Sequence, residues 1–395
     1  MRILFLTSWY PTQKNPGAGI FIKEHAVAAK QAGNEVVVLA FIIEKSSKFF
    51  HIQTRDYIDE NNMRVIEIIL SSVFKDLLYY FPAIQQLIFS RLYERNHAHS
   101  FVPDIIHSNV VFPSGIFGAH IARKLDKPHV ITEHWSKLPT ILLFPLIKRK
   151  IVRAYSNADY ILPVSAFLKN RILFSIPTLR SEHFFIVPNV IDSSIFFYQA
   201  KKPINNAIHF TAVANWATKR QPDKKPELFI QALSKIQQSI DKKIILTMIG
   251  SGNRVSELKK MCRDLNLTAN FEGYKAKNQI CDILHHTDFF VHASTIETFG
   301  VVVAEALITG TPVICSNVGA LPELVNTSNG VLCENTVEEW ELGILKAINN
   351  PFDSKKISEN IAEKYSSENI GKNINERYKS LVCIDQYRLS KNKAD

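Results

Sequence analysis

The sequence predicts an α/β protein built as two consecutive doubly wound domains. Three observations carry this. At 395 residues the chain exceeds what one ordinary core encloses and suits two domains. Its short apolar runs alternate with amphipathic stretches of helical period, the pattern of parallel strands joined by helices. The alternation then restarts after a polar break at Lys201–Asn206.

The first predicted strand is Arg2–Thr7, followed by a loop containing Pro11, Pro16, Gly17 and Gly19. A glycine pair at Gly17 and Gly19 would let the backbone approach a diphosphate or an acceptor. Ile20–Ala32 reads as an amphipathic helix stopped by Gly33, and Glu35–Phe41 as the second strand. Asp104–His107, His129–Thr132, Tyr160–Val164 and Phe185–Val187 read as later strands, so the first domain is taken as residues 1–198.

The second domain, residues 199–375, starts with strand Ile208–Val213, helix Pro226–Ile240, strand Lys243–Ile249 and helix Asn253–Leu265. Strands near Ala269–Glu272, Asp288–His292, Pro312–Cys315 and Gly330–Leu332 follow. Glu376–Leu389 is a final helix within a terminal segment, 376–395. Two such domains bind ligands at the carboxyl ends of their strands, facing a crevice.

The densest motif is Ser294–Gly310, S-T-I-E-T-F-G-V-V-V-A-E-A-L-I-T-G. It reads as the turn after an apolar strand, then a helix starting near Phe299–Gly300 and closed by Gly310 and Pro312. A helix N-terminus offers unpaired amides and partial positive charge to a phosphate, and Gly300 removes a side chain from its path. Glu297 and Glu305 bracket that start with seven residues between them. Acids there suit hydroxyls rather than phosphate, one from a sugar and one from a ribose.

This Glu-x7-Glu pattern, with Phe299-Gly300 inside it and Gly310-Thr311-Pro312 after it, resembles the retaining, nucleotide-sugar-dependent glycosyltransferases of the GT-B fold. The resemblance spans the chain and is specific around residues 288–323. It implies two Rossmann-like domains across a crevice, often with a last helix that crosses back to the first domain. It also implies that Glu297 and His134, in Thr132-Glu133-His134-Trp135, face the donor sugar. Phe299, Gly300 and Val301 would meet the diphosphate, and Glu305 the ribose. Where the family has Gly-Arg and then Lys-Gly, this chain has Asn215 in Val213-Ala214-Asn215-Trp216, and Lys225 before Pro226. Lys225 is therefore the expected phosphate lysine, with Lys219 or Arg220 as substitutes for the missing arginine. Gly250, in Gly250-Ser251-Gly252, is expected to let backbone approach the nucleotide, and Gly252 to serve the turn. His107 is a weaker strand-end candidate. Gly319 to Glu323 resembles the family's second loop around the donor.

Composition sets the class of partner. A net charge of +10 suits phosphorylated substrates or an anionic membrane surface, and no zinc-finger or RNA-binding signature supports nucleic acid. The five cysteines, odd in number and widely spaced, read as reduced thiols rather than disulfides or metal ligands. No signal peptide or transmembrane run is read, so the expected place is either the cytoplasm or the inner face of the cytoplasmic membrane. Lys137, Lys148, Arg149, Lys150, Arg153, Lys169, Arg171 and Arg180 face one acid, Asp159, and are interleaved with Ile141–Ile147. Phe74 to Leu92 adds apolar residues at near-helical spacing around Pro82.

Taken together, the expectation is a hexosyl-type retaining transferase with a nucleotide-sugar donor and a glycan or lipid-linked acceptor, serving cell-surface polysaccharide. No cofactor is expected. Transfer should be metal-independent, since no Asp-x-Asp occurs and lysine and helix amides would carry the phosphate charge. A sugar-nucleotide epimerase on the same scaffold and a non-catalytic, membrane-associated binding protein remain as alternatives.

Overall fold

The computed structural model describes residues 1–12, 15, 17–95, 100–200, 206–217 and 224–391, with side chains described through residue 383. The chain divides into two compact units, Met1–Val190 with Ser367–Asp395, and Ile191–Ser366.

Among the described residues, the first unit holds a seven-stranded sheet. Its strands are β1 (Arg2–Thr7), β2 (Glu35–Lys45), β3 (His51–Ile58), β4 (Arg64–Ser72), β5 (Ile105–Asn109), β6 (His129–Glu133) and β7 (Tyr160–Pro163), in the order β3-β4-β2-β1-β5-β6-β7. All neighbours are parallel except β3, which pairs antiparallel with β4. The period of two in β1 divides its side chains between two cores. Ile3 and Phe5 join Val36, Val38, Ile374 and Tyr378 on one face, while Leu4 and Leu6 join Val37, Leu39, Phe89 and Phe117 on the other.

The second unit holds six parallel strands: β8 (Ala207–Val213), β9 (Lys243–Ile249), β10 (Thr268–Gly273), β11 (Phe289–His292), β12 (Val313–Ser316) and β13 (Gly330–Cys333), ordered β10-β9-β8-β11-β12-β13. The chain reverses direction across the sheet between β1 and β5 in the first unit and between β8 and β11 in the second. Loops from two strands splay apart at such points and leave room for a ligand.

The domain boundaries differ from the sequence reading. They fall at Val190/Ile191 and Ser366/Ser367, earlier than 198 and 375. The Ile191 amide donates to Tyr365 O at 2.8 Å, and Phe196 is fully buried with Lys277 of the second unit over its ring. Packing thus assigns Ile191 to Tyr198 to the second unit, whereas composition had pointed to Lys201–Asn206, most of which lies outside the described residues. The last helix starts at Ser367 rather than 376, and Ile370, Ile374, Tyr378 and Leu381 close one face of the first sheet.

Three further corrections concern this unit. Phe185–Val187 forms no named strand, although its amides at Phe185 and Val187 donate to Ile161 O and Pro163 O. The β3–β4 ribbon was absent from the reading. His107 is structural: its Nε2 pairs with Thr132 Oγ1 at 2.6 Å and its Nδ1 with the Tyr378 hydroxyl, both buried. All five cysteines are free, four of them buried.

The Tyr378 hydroxyl thus ties the last helix to β5. Tyr378→Phe leaves His107 Nδ1 buried without its partner and should cost about 1–3 kcal/mol. Denaturant unfolding of the isolated variant measures this, and an unchanged midpoint would show the bond contributes nothing.

Candidate functional site

The second unit gathers its polar groups at the β8/β11 reversal. His292 ends β11, and the chain then turns through Ala293 to Gly300 into the Val301–Ile308 helix. Gly300 caps that helix at φ 96°, a left-handed conformation that favours glycine, and a Cβ there would sit 2.7 Å from Leu321 Cδ2. The Val303 and Ala304 amides both donate to Gly300 O, so the amides ahead of them point out along the helix axis. Phe299 is buried and packs edge-on against Tyr365 at 5.4 Å, which makes it an anchor of the turn rather than a ligand side chain.

Glu297 is held from three sides. Its carboxylate pairs with Lys224 Nζ and with His292 Nε2, the latter at 2.8 Å, and Lys224 Nζ lies 3.2 Å from the same His292 nitrogen. Its carbonyl accepts from the Ala320 amide at 3.0 Å, and a Cβ on Gly319 would overlap that carbonyl. The Gly319 loop therefore supports the Glu297 backbone. Burial alone would raise the Glu297 pKa, but Lys224 and then His292 outweigh it and hold it at about 2.

Lys224, the neighbour of the expected phosphate lysine Lys225, reaches this carboxylate. Residue 224 bridges antiparallel to Ser294, and the Lys225 amide donates to Ala293 O at 3.1 Å. Successive side chains of an extended segment point to opposite sides, so Lys225 is directed to the Pro226–Gln237 helix, 4.0 Å from Glu227. The sequence signal for Lys224 was the Lys-Lys pair itself, with strand parity left unapplied. His292 was visible only as the last residue of its strand.

The remaining second-unit expectations divide. Glu305 is buried on the 301–308 helix, 3.4 Å from Lys277 Nζ. Asn215 is exposed in the loop after β8, whose next residue, Trp216, is pinned by its amide to Ser251 O and its indole to Ile249 O. Gly250 is glycine for a reason internal to the chain. A Cβ there would overlap Ala214 O, and one on Gly252 would overlap Trp216 O, so these glycines admit the protein's own loop. Lys219 and Arg220 lie outside the described residues.

In the first unit, His134 follows β6 and is buried, its ring 4.7 Å from Phe21 and 5.2 Å from His25. Among the described residues neither ring nitrogen makes a well-formed hydrogen bond; its polar neighbour is Asn189, whose Oδ1 is likewise unpartnered and whose side chain favours the charged ring. Burial, then His25, depresses its pKa well below the usual value, so the ring is neutral. Glu133 points into the core, as strand parity predicts. Its carboxylate accepts from the amides of Val111, His134 and Trp135 and from the Tyr155 hydroxyl at 2.7–3.0 Å, fixing the turn that carries His134. Gly19, at φ 66°, caps the Ile20–Gln31 helix where a side chain would overlap Trp9 O, whereas Gly17 faces open space.

Residues 217–364 match the family described as glycosyl transferases group 1, and residues 16–195 match glycosyltransferase family 4. The chain is a glycosyltransferase, matched by one such family over each half. It is 28% identical over 316 residues to an uncharacterised glycosyltransferase of Methanocaldococcus jannaschii, covering 79% of this chain and 83% of that one. A Bacillus subtilis glycosyltransferase assigned to teichuronic acid biosynthesis is 22% identical over 338 residues, 82% of this chain and 83% of that one. Among solved structures, HepE of Anabaena in complex with UDP superposes with a TM-score of 0.72 at 20% identity, over 96% of this chain and 100% of that one. The fold of this glycosyltransferase is GT-B.

The pKa of Glu297 predicts a pH signature. Its folded value, about 2, lies below its ordinary 4.5, so its stabilising contribution is full above 4.5 and lost as pH falls towards 2. The stability difference between wild type and Glu297→Gln should therefore grow as pH rises through that window. Parallel pH-dependent denaturation curves for the two proteins would exclude the ion pair.

Proposed function

We propose that the protein is a retaining, hexosyl-type glycosyltransferase that moves sugar from a nucleotide-sugar donor to a glycan or lipid-linked acceptor. Its setting would be cell-surface polysaccharide synthesis, peripheral to the inner face of the cytoplasmic membrane. The observation that carries the reading is the convergence of Lys224, Glu297, His292 and the first turn of the 301–308 helix at one reversal point of the second sheet. The solved relative with bound UDP and the relative assigned to teichuronic acid synthesis support it.

In this reading the donor diphosphate meets the Phe299–Val301 amides and Lys224. Diphosphate and Glu297 then compete for one ammonium, and His292 is the partner that Glu297 keeps. Glu297 accepts hydrogen bonds from sugar hydroxyls, and buried Glu305 serves the ribose. His134, buried and neutral beside Asn189, hydrogen-bonds a sugar hydroxyl. Asn215 stands where the family carries an arginine, so Lys224 bears a larger share of the leaving-group charge. Catalysis is positioning plus electrostatic stabilisation of the departing nucleoside diphosphate, and the acceptor attacks on the leaving-group face.

Glu297→Gln should lose about 2–4 kcal/mol of transition-state stabilisation, about thirtyfold to nearly a thousandfold in rate, while remaining folded. Lys224→Ala should lower kcat/KM at least about tenfold, one charged contact's worth, and Lys225→Ala far less. Mass spectrometry of products from a donor panel reads both. Wild-type turnover in folded Glu297→Gln would remove Glu297 from the mechanism, and an epimerised nucleotide sugar without transfer would favour an epimerase.

Transfer should also persist in excess EDTA, because Lys224 and helix amides meet the leaving-group charge. Activity restored only by Mg²⁺ or Mn²⁺ would overturn that assignment.

A further inference from the structure

Packing of the first unit's sheet leaves one apolar surface unexplained. In the helices Lys75–Tyr80, Pro82–Arg95 and Pro145–Ser156, the core takes Leu78, Phe89, Leu92, Ile147 and Ile151. Other large residues on these helices and the turns beside them face outward. Leu77, Leu87, Leu143 and Leu146 are 56%, 52%, 77% and 69% exposed, and Tyr80 packs on Phe144 at 5.0 Å with both still exposed. Scattered apolar residues on a surface are ordinary, but a contiguous set on adjoining helices marks a contact site.

Two adjoining cavities give that surface a chemistry. An apolar cleft of about 350 Å³ is walled by Tyr80, Phe81 and Leu146, with Arg149, Lys150 and Arg153 along its side. Lys150 and Arg153 also line a small pocket of about 50 Å³, together with His120, Arg123 and Gln86. Among the described residues no carboxylate lines either one, although Arg123 and Arg153 also line a neighbouring cavity whose rim carries Asp126 and Asp159. The nearby acid Glu94 is engaged by Lys124, and Lys150 Nζ meets the neutral Gln86 Oε1, at 3.3 Å. His120 Nδ1 is buried without a partner. Three cations thus converge on a space of ionic size that opens into an apolar cleft. Guanidinium pairs suit phosphate oxygens, and an apolar pocket with a few fixed polar groups suits a small amphiphile.

We propose that this cleft binds the phosphate headgroup of an anionic phospholipid in a bilayer. Arg123, Lys150 and Arg153 hold the phosphate, Tyr80, Phe81 and Leu146 cover the first acyl carbons, and Leu77, Leu143 and Phe144 enter the headgroup region. Charge complementarity selects this occupant, because an apolar protein partner would leave the three cations unmet. The inference gives the peripheral-membrane reading above a defined site, and its failure leaves the transferase reading intact, since transfer to a soluble acceptor is assayed without lipid.

The test is co-sedimentation of the full chain with phosphatidylcholine vesicles, with and without about 30 mol% phosphatidylglycerol. Wild type should bind only the anionic vesicles, and less as salt rises. Arg123→Gln with Arg153→Gln should weaken binding about tenfold or more, and Leu143→Ser with Leu146→Ser should do so at unchanged charge. Lys242→Gln with Lys243→Gln, an equal charge loss on the second unit, should leave binding unchanged. These side chains are exposed, so a thermal melt certifies each variant's fold. An equal effect from the Lys242/Lys243 pair would mean diffuse attraction and overturn the site. Inorganic phosphate raising the wild-type melting temperature, but not that of the Arg123/Arg153 variant, with no vesicle binding, would make it a free-phosphate site and overturn the lipid.

Discussion

A carboxylate withdrawn from water must be met by positive charge or by several donors, and the second unit depends on how Glu297 is met. Its ammonium comes from Lys224, across an antiparallel bridge to Ser294, and its imidazole from the end of β11. The Gly319 loop grips its carbonyl. Three stretches, at residues 224, 292 and 319–320, are therefore registered against one residue. Glu133 solves the same problem differently. It has no cation, only three amides and a phenol, and burial raises its pKa despite them. The first arrangement is an ion pair between a lysine and a carboxylate. The second is a neutral-donor clamp that holds a loop.

Much of the fold was legible because buried parallel strands are short apolar runs and their helices carry stops such as Gly33 and Gly310. The β3–β4 ribbon was not legible. β3 is almost entirely exposed, with neither an apolar run nor clean alternation, and only its pairing with β4 defines it. Boundaries failed for a related reason: composition marks where a chain is polar, while Phe196 shows that a unit begins where side chains start to pack.

At the site, the motif located the turn but not the direction of each side chain. Glu297, Glu305 and the helix start are where the Glu-x7-Glu spacing puts them. Choosing Lys224 over Lys225 required knowing that the segment is extended and bridged to Ser294. A glycine reports that something approaches closely without saying what; at Gly250 the Ala214 carbonyl does so. His134 and His107 look alike in sequence, each at a strand end. Only their partners separate them, since His107 uses both nitrogens internally and His134, among the described residues, makes a well-formed hydrogen bond with neither.

The path of the chain also sets an order of assembly. The second unit is one uninterrupted segment, Ile191–Ser366, whereas the first is completed by residues after Ser367. On a ribosome the second unit has all its parts while the first sheet still lacks Ile374, Tyr378 and Leu381 on one face. Domains generally mature as they emerge, N-terminal first. Here the half that is translated first is finished last, and its uncovered face waits through the synthesis of the other half. A premature stop near the end of the gene therefore strikes the domain encoded at its beginning.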